Sequence, residues 1–218
     1  MLKCLSINLN GVGKDFKRNW VKSMAHSHKV DLHFIQETRM GVSDFTARGI
    51  GGKKLGNWIT SPPVGNSGGL ISFWDHNCIG EVSNTVDRHF ITTIGISKTS
   101  KQPWGFINVY APQSAAEKQT LWAKLHDIIS QDPNREWVVV GDFNEVRFKE
   151  ERKGSHFVTP PNQDLGGNVW RRVTSYKYHN AIRYRTTSID IKIHKPYLLH
   201  IQKQTKRNCL NDNISKAN

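Results

Sequence analysis

The sequence lacks long hydrophobic runs and holds little cysteine. Its longest apolar runs, such as residues 138–140 (VVV), are far shorter than the roughly 20 residues that a transmembrane helix requires. Residues 1–30 contain no apolar stretch typical of a signal peptide, so we expect an intracellular, non-secreted protein with no membrane partner. Cys4, Cys78 and Cys209 are odd in number and far apart. They exclude a disulfide framework and a cysteine-rich zinc site, and they fit a reducing compartment.

Acidic residues are also scarce. The 218 residues include 31 Lys and Arg against 18 Asp and Glu, a formal net charge of +13, and most of this excess lies after residue 150. A basic excess favours polyanionic partners, of which nucleic acid is the commonest. The alternative is a solvated basic tail that binds nothing. The 37% hydrophobic content is enough for a folded domain and excludes a wholly disordered chain.

The hydrophobic pattern predicts strands alternating with a few helices. Amphipathic helices are predicted over 15–29, with Asp15 near the N-cap, and over 115–130. Strands are predicted over 2–8, 31–36, 57–60, 69–74, 88–97, 104–110 and 137–140. The last of these is wholly apolar, as expected in the middle of a covered sheet. The order of elements predicts an α/β or α+β class with layered sheets.

Tryptophan is abundant, and its positions on the predicted elements suggest mostly packing roles. On the first helix, Trp20 shares an apolar face with Phe16 and Val21, so we expect it in the core with Trp122 and Trp137. The sequence leaves three others undecided between core packing and stacking against bases. These are Trp58, Trp74 and Trp104.

Polar residues stand where several apolar strands end. Asn8, Glu37, Tyr110, Asp142 and Asn144 each lie at or just beyond the C-terminal end of a predicted strand. Strand ends are where α/β proteins build their sites, and oxygen-rich clusters without His or Cys suit Mg²⁺ better than zinc. For any single residue the alternative is an ordinary turn or cap role, because Asn and Asp are common where strands end.

Five short motifs in order resemble the endonuclease/exonuclease/phosphatase superfamily. The motifs occupy residues 5–11 (LSINLNG), 35–38 (IQET), 65–70 (GNSGGL), 108–112 (NVYAP) and 140–144 (VGDFN). The wording of QET and NVYAPQ, followed by residues 151–155 (ERKGS), resembles the endonuclease domain of plant LINE-type (non-LTR) retrotransposons. The resemblance covers about residues 2–158. It implies a two-sheet β-sandwich flanked by helices, similar to deoxyribonuclease I, over residues 1–158, with 159–218 as a basic tail that has no family match.

The resemblance also implies a role for each strand-end residue. Glu37 would be the principal ligand of Mg²⁺, or of Mn²⁺, with Asn8 and Asn10 beside it; repair enzymes have Asp at the position of Asn10. Tyr110 would contact the scissile phosphate. The resemblance further implies that Asp142 orients or deprotonates the attacking water and that Asn144 donates a hydrogen bond to a non-bridging oxygen of the phosphate. The implied chemistry is metal-assisted hydrolysis of a phosphodiester by activated water.

The last motif of that superfamily, Ser-Asp-His, is missing after residue 158. We therefore expect a domain that is incomplete at its C-terminal end, with an impaired Mg²⁺-dependent DNA endonuclease activity of retrotransposon type. DNA is the expected partner, RNA a second candidate, and the nucleus the expected location. The alternative is a catalytically dead remnant that binds nucleic acid non-specifically through its basic tail. A phosphatase acting on small phosphoesters is a third interpretation, which the retroelement wording of the motifs disfavours. The pattern predicts no oligomeric state.

Overall fold

A computed structural model describes residues 2–52, 54–144 and 197–201, the last range by its backbone alone. The helices are α1 (Asp15–Ser27), α2 (Asp44–Gly51) and α3 (Ala115–Gln131). The strands are β1 (Lys3–Asn8), β2 (Leu32–Gln36), β3 (Asn57–Ser61), β4 (Leu70–Trp74), β5 (Ile79–Val86), β6 (Phe90–Ser97), β7 (Pro103–Tyr110), β8 (Glu136–Asp142) and β9 (Tyr197–Ile201).

The strands form two mixed sheets. The first sheet has the order β3-β4-β2-β1-β9, with β1 parallel to both β2 and β9 and with antiparallel pairing elsewhere. The second sheet has the order β5-β6-β7-β8, in which only β7 and β8 are parallel. The first sheet therefore contains two parallel pairs, β1 with β2 and β1 with β9, and the second sheet contains one, β7 with β8. The predicted site residues lie at or just beyond the ends of β1, β2, β7 and β8.

Alternation along the strands produces four layers. In β2, Leu32 and Phe34 face the second sheet, where Phe34 stacks with Phe106 of β7. Residue Ile35, on the opposite face of β2, packs beneath α1 and α2. The outer face of the second sheet packs against α3 in the same way. The predicted fold class, a two-sheet sandwich flanked by helices, is confirmed.

Both predicted helices and all seven predicted strands are present, with ends that shift by a few residues. Three elements were not predicted, α2, β5 and β9. The helix α2 has only eight residues, including two glycines, and it begins where Ser43 caps the backbone N–H of Thr46. Most of β5 is polar and largely exposed, so its sequence (IGEVSNTV) offers little of the apolar alternation that marks a half-buried strand.

Some details of the sequence interpretation are wrong. Trp20 is 44% exposed, because α1 turns Val21 and Ala25 toward the sheet and Trp20 lies at the border of that face. The N-cap of α1 is Lys14, so Asp15 lies next to the cap, as predicted. Strand β8 was expected in the middle of a sheet, but among the described strands it lies at the end of one. Its apolar run is nevertheless covered, by the first sheet on one face and by α3 on the other.

Of the other described tryptophans, two were predicted in the core and three were undecided. Trp58 and Trp74, both undecided, are half-buried, Trp58 against the cluster beneath α1 and α2 and Trp74 against the cluster between the sheets. Trp122 is buried under the second sheet, and Trp137 is half-buried in the same cluster, which confirms their packing role. Trp104, which was undecided, is buried between the sheets.

Several predictions fall on residues 145–196 and 202–218, outside the described residues. These are the ERKGS motif, the boundary at 158 and most of the basic tail. The described part of the predicted tail, residues 159–218, is β9, which pairs in parallel with β1. Within the described residues, no helix has the length and apolar character needed to cross a membrane.

Candidate active site at the ends of four strands

The site lies where the layer between the two sheets reaches solvent. The inward-facing positions of β7 are Trp104, Phe106, Asn108 and Tyr110 in succession, so the strand changes from apolar to polar toward its C-terminal end. The inward face of β1 changes in the same direction and ends at Asn8. Because β1, β2, β7 and β8 all end at this edge, their last inward side chains meet there.

Glu37 faces the site because its backbone is turned. Gln36 already occupies the inward position at the end of β2, so regular alternation would point Glu37 away from the second sheet. Its φ of +55° is in the left-handed region, which is uncommon for a residue with a side chain. The turned backbone brings Oε1 of Glu37 to within 2.7 Å of the Tyr110 hydroxyl, which donates a hydrogen bond to it. Backbone strain of this kind, roughly 1–3 kcal/mol, is typical of functional positions.

Tyr110 is a protonated donor in this arrangement. Partial burial raises the pKa of its phenol above the ordinary value of 10.0, and the hydrogen bond to the Glu37 carboxylate and the charges of Glu37 and Asp142 raise it further. A hydrogen bond with the Asn144 side chain acts in the opposite direction on the pKa. The hydroxyl therefore keeps its proton at neutral pH and can donate to an anionic group.

Asp142 is held in place by three contacts. Nδ2 of Asn8 donates to Oδ2 of Asp142, the backbone N–H of Asn144 donates to Oδ1, and the Ala111 N–H donates to the Asp142 carbonyl. Asp142 is 7% exposed, and its register partner in β7 is Tyr110. Its carboxylate is therefore fixed beside the phenol, with a direction set by both sheets.

Asn144 is also held at the site by two further hydrogen bonds, one from its side chain and one to its backbone carbonyl. Its Nδ2 donates to the carbonyl of Ala111, and its own carbonyl accepts from Nζ of Lys118 on α3. Its φ of +49° is again in the left-handed region. These contacts fold the chain after β8 back over the end of β7, which keeps Asn144 next to Tyr110.

Asn10 stands apart from the other predicted residues. Its backbone N–H donates to Oδ1 of Asn8, and its side chain is exposed. Within the described part of the chain, its side chain forms no hydrogen bond with Glu37. The turn that carries it is held by Lys17, whose Nζ donates to the carbonyls of Leu9, Asn10 and Gly11.

The donors at this edge fit a hard divalent cation. Glu37 offers a carboxylate that its backbone turns into the site, and Asn8 and Asn10 offer amide oxygens, which are the ligand types that Mg²⁺ prefers. Two of these atoms are already engaged, since Oε2 of Glu37 lies 3.2 Å from the Arg39 guanidinium and Oδ1 of Asn8 accepts from Asn10. A cation that binds here would therefore compete with Arg39 for Glu37.

A second group of acidic residues lies at the opposite end of β2. Asp31, Asp75 and Cys78 place their ligand atoms within 4.8 Å of one another. Asp31 precedes β2, whereas Glu37 follows it, so this cluster is separate from the predicted site. Lys54 lies 2.6 Å from Asp31 and 4.0 Å from Asp75 and supplies a positive charge to the cluster.

A buried polar network directly behind the site was missed by the sequence analysis. Nε2 of Gln36 donates to Ser6 and to Oδ1 of Asn108, and Nδ2 of Asn108 donates to the carbonyls of Ile35 and Ile71. Gln36 and Asn108 are fully buried and belong to opposite sheets. Their positions in the sequence could have indicated this network. Each is a polar residue at an inward strand position, one or two residues before a predicted site residue.

Two glycines allow the chain segments to approach one another. Gly141 has a φ of +140°, and a β carbon there would lie 1.9 Å from the carbonyl oxygen of Val109. Gly69 has a φ of +85°, and a β carbon there would lie 2.1 Å from Oγ1 of Thr38. These close contacts explain why the VGDFN and GNSGGL motifs contain glycine next to the site.

Comparisons with known proteins identify solved structures with a similar fold. No protein-family profile matches the chain, and no curated protein matches it. The fold is similar to that of AP endonuclease LMAP from Leishmania major, with a TM-score of 0.55 and 11% identity over 69% of this chain and 57% of that one. The chain thus spans little more than half the length of that structure.

Two further solved structures match at lower similarity. One is the 3′ phosphatase NExo from Neisseria bound to product DNA hairpin, with 16% identity, coverage of 64% and 57% of the two chains, and a TM-score of 0.48. The other is an AP endonuclease from Archaeoglobus fulgidus, with 20% identity, coverage of 66% and 58%, and a TM-score of 0.45. The similarity to LMAP supports the two-sheet sandwich fold.

Proposed function

We propose that this chain is a divalent-metal-dependent phosphodiesterase that nicks DNA, of the type found in LINE retrotransposons, with an activity impaired by the missing Ser-Asp-His motif. The observation that carries the proposal is the meeting of Asn8, Glu37, Tyr110 and Asp142 at one sheet edge. The resemblance of the five motifs to retrotransposon endonucleases, and the AP endonuclease named among the similar folds, suggest DNA as the substrate. The retrotransposon type rests on the motif wording alone, and so does a nuclear location.

The residues of the chain would divide the reaction between the two sheets. Glu37, with the amide oxygens of Asn8 and Asn10, would hold Mg²⁺, which when bound polarises a phosphoryl oxygen. Tyr110 keeps its proton, and its single O–H would turn from Glu37 to a non-bridging oxygen of the scissile phosphate when the substrate binds. Asp142, fixed by Asn8 and Asn144, would accept a proton from the attacking water. Asn144 would donate to the phosphate as its negative charge increases.

The decisive experiment is nicking of supercoiled plasmid by the full chain with Mg²⁺. We expect nicked circles to accumulate with Mg²⁺ and to stop accumulating in EDTA. Glu37→Ala should lower the rate by roughly 100-fold or more, because the main oxygen ligand is gone. Glu136→Ala is the matched control, since Glu136 is exposed at the other end of β8. A Glu37→Ala protein that nicks as fast as Glu136→Ala would overturn the assignment.

The alternative function is non-specific nucleic-acid binding without hydrolysis. The net charge of +13 favours it. Binding of this kind falls steeply with salt and does not require Mg²⁺, whereas nicking requires the metal. A folded protein that binds DNA in EDTA and does not nick it with Mg²⁺ or Mn²⁺ would establish the alternative.

A further inference from the structure

A positively charged cavity lies on the outer face of the first sheet, away from the candidate active site. A cavity of about 380 Å³ opens between α1, α2 and β3, and it is lined by Lys22, Arg48, Gly52, Gly56 and Trp58. The lining includes two cations, one aromatic ring and no carboxylate. Across the described residues, neither Lys22 nor Arg48 has a carboxylate oxygen within 4.0 Å, whereas Lys54 nearby in sequence pairs with Asp31.

The two cations are held in place by apolar contacts. The guanidinium carbon of Arg48 lies 5.4 Å from the centre of the Trp58 ring, a cation–π contact that favours this position of the side chain. A β carbon at Gly52 would lie 3.4 Å from Cε of Lys22, so the lysine stem lies against the end of α2. The C-terminal end of a helix contributes only about −0.5 charge, which leaves the cavity strongly positive.

This cavity is separate from the candidate active site. Trp58 pairs with Phe73, three residues along β4 from Leu70, and Leu70 pairs with Gln36 at the active-site edge. Three residues of strand correspond to about 10 Å. Trp58 also packs against the cluster beneath the helices, on the face of the sheet opposite the sandwich interior.

We propose that Lys22 and Arg48 form a binding site for a phosphate group outside the catalytic edge. A guanidinium fork matches two phosphate oxygens, and the lysine ammonium adds a point charge beside it. The ligand is either a backbone phosphate of a nucleic-acid strand or a free phosphate, which share this chemistry. The proposal goes beyond the proposed hydrolysis and does not depend on it.

The test uses the full chain in EDTA, so that no strand is cleaved. Inorganic phosphate binding is followed by ³¹P NMR line width, and binding of a fluorescein-labelled 20-nucleotide oligo-dT by anisotropy at several salt concentrations. The double variant Lys22→Gln with Arg48→Gln is compared with Lys98→Gln and Lys101→Gln, which removes two exposed charges from the β6–β7 loop. Arg48→Lys keeps the charge and removes the fork, and thermal unfolding by circular dichroism checks that all variants are folded.

We expect the Lys22/Arg48 double variant to lose at least tenfold in phosphate affinity, Arg48→Lys to lose about threefold, and the Lys98/Lys101 variant to stay within twofold of the wild type. For oligo-dT, losing two phosphate contacts should reduce the slope of log K against log salt by about 1.4. A loss for phosphate alone would support the site and identify free phosphate as its ligand. Equal affinities and equal slopes in the two double variants would overturn the proposal. Failure of plasmid nicking would leave these outcomes unchanged.

Discussion

The hydroxyl of Tyr110 donates a 2.7 Å hydrogen bond to Oε1 of Glu37, and this contact joins strand ends from opposite sheets. The bond requires the left-handed backbone at Glu37, because a regular strand would point that side chain outward. The carboxylate that would hold a metal and the phenol that would bind the phosphate therefore set each other's positions.

Tyr110→Phe removes this bond while keeping the ring that packs against Gly68. A hydrogen bond to a charged group contributes about 1.5–3 kcal/mol, so we expect plasmid nicking to slow by roughly 10- to 100-fold. Because the pKa of Tyr110 is raised above 10.0, the wild-type rate should show no loss from tyrosine ionisation between pH 9 and 10. Nicking by Tyr110→Phe at the wild-type rate would remove Tyr110 from the mechanism.

The guanidinium of Arg39 lies 3.2 Å from Oε2 of Glu37, where it would compete with a metal for that oxygen. The guanidinium side chain is 45% exposed, and pairs of this kind contribute only about 0.2–1 kcal/mol. Arg39→Gln should therefore lower the Mg²⁺ concentration for half-maximal nicking by about two- to fivefold. Arg88→Gln is the control, since Arg88 is also exposed and should leave the midpoint unchanged. A higher midpoint in Arg39→Gln would mean that Arg39 assists metal binding.

Asn108 links the two sheets through a buried side chain. Asn108→Ala would leave the carbonyls of Ile35 and Ile71 and the amide of Gln36 without this partner. Each unsatisfied buried group costs about 1–3 kcal/mol, so we expect the free energy of unfolding to fall by about 3 kcal/mol or more. Urea denaturation checks this, with Asn134→Ala, an exposed turn residue, as the control. Equal midpoints for the two variants would show that the network adds nothing to stability.

The sequence predicted the sandwich, the two long helices and the strand ends that carry the site, because apolar alternation and motif order are local signals. It could not predict that Glu37 turns inward, since nothing in IQET marks a left-handed residue. The Gln36–Asn108 contact was also out of reach, because the register between two sheets depends on packing across 72 residues of chain. Trp20 was assigned to the core because helical periodicity identifies the apolar face of α1. It does not show how wide a part of that face the sheet covers.

His33 should make stability depend on pH. It is fully buried beneath α1 and α2, its ring stacks on Phe73, and neither ring nitrogen has a hydrogen-bond partner among the described residues. Burial lowers its pKa from 6.5 to about 3. The unfolded chain therefore binds a proton that the folded chain does not, and stability is full above pH 6.5 and falls as the pH drops toward 3.

The slope from one such group is about 1.4 kcal/mol per pH unit within this window. Urea denaturation at pH 4.5, 5.5, 6.5 and 7.5 should show this loss in the wild type and in His126→Gln, whose side chain is exposed. In His33→Leu the corresponding contribution should disappear, so its curve against pH should be flatter. Parallel curves for all three proteins would show that His33 does not titrate on unfolding.

The apolar cluster of Phe34, Phe106 and their neighbours holds the two sheets together, and the geometry of the candidate site depends on it. Asn8 and Glu37 belong to one sheet, Tyr110 and Asp142 to the other, so each of the two short contacts spans the seam between them. Sliding one sheet past the other by a single residue, about 3.4 Å, would break both contacts at once while leaving every strand paired. The candidate site therefore depends on the alignment of the two sheets. A partly loosened protein would lose both contacts while its far-UV circular dichroism spectrum remained native.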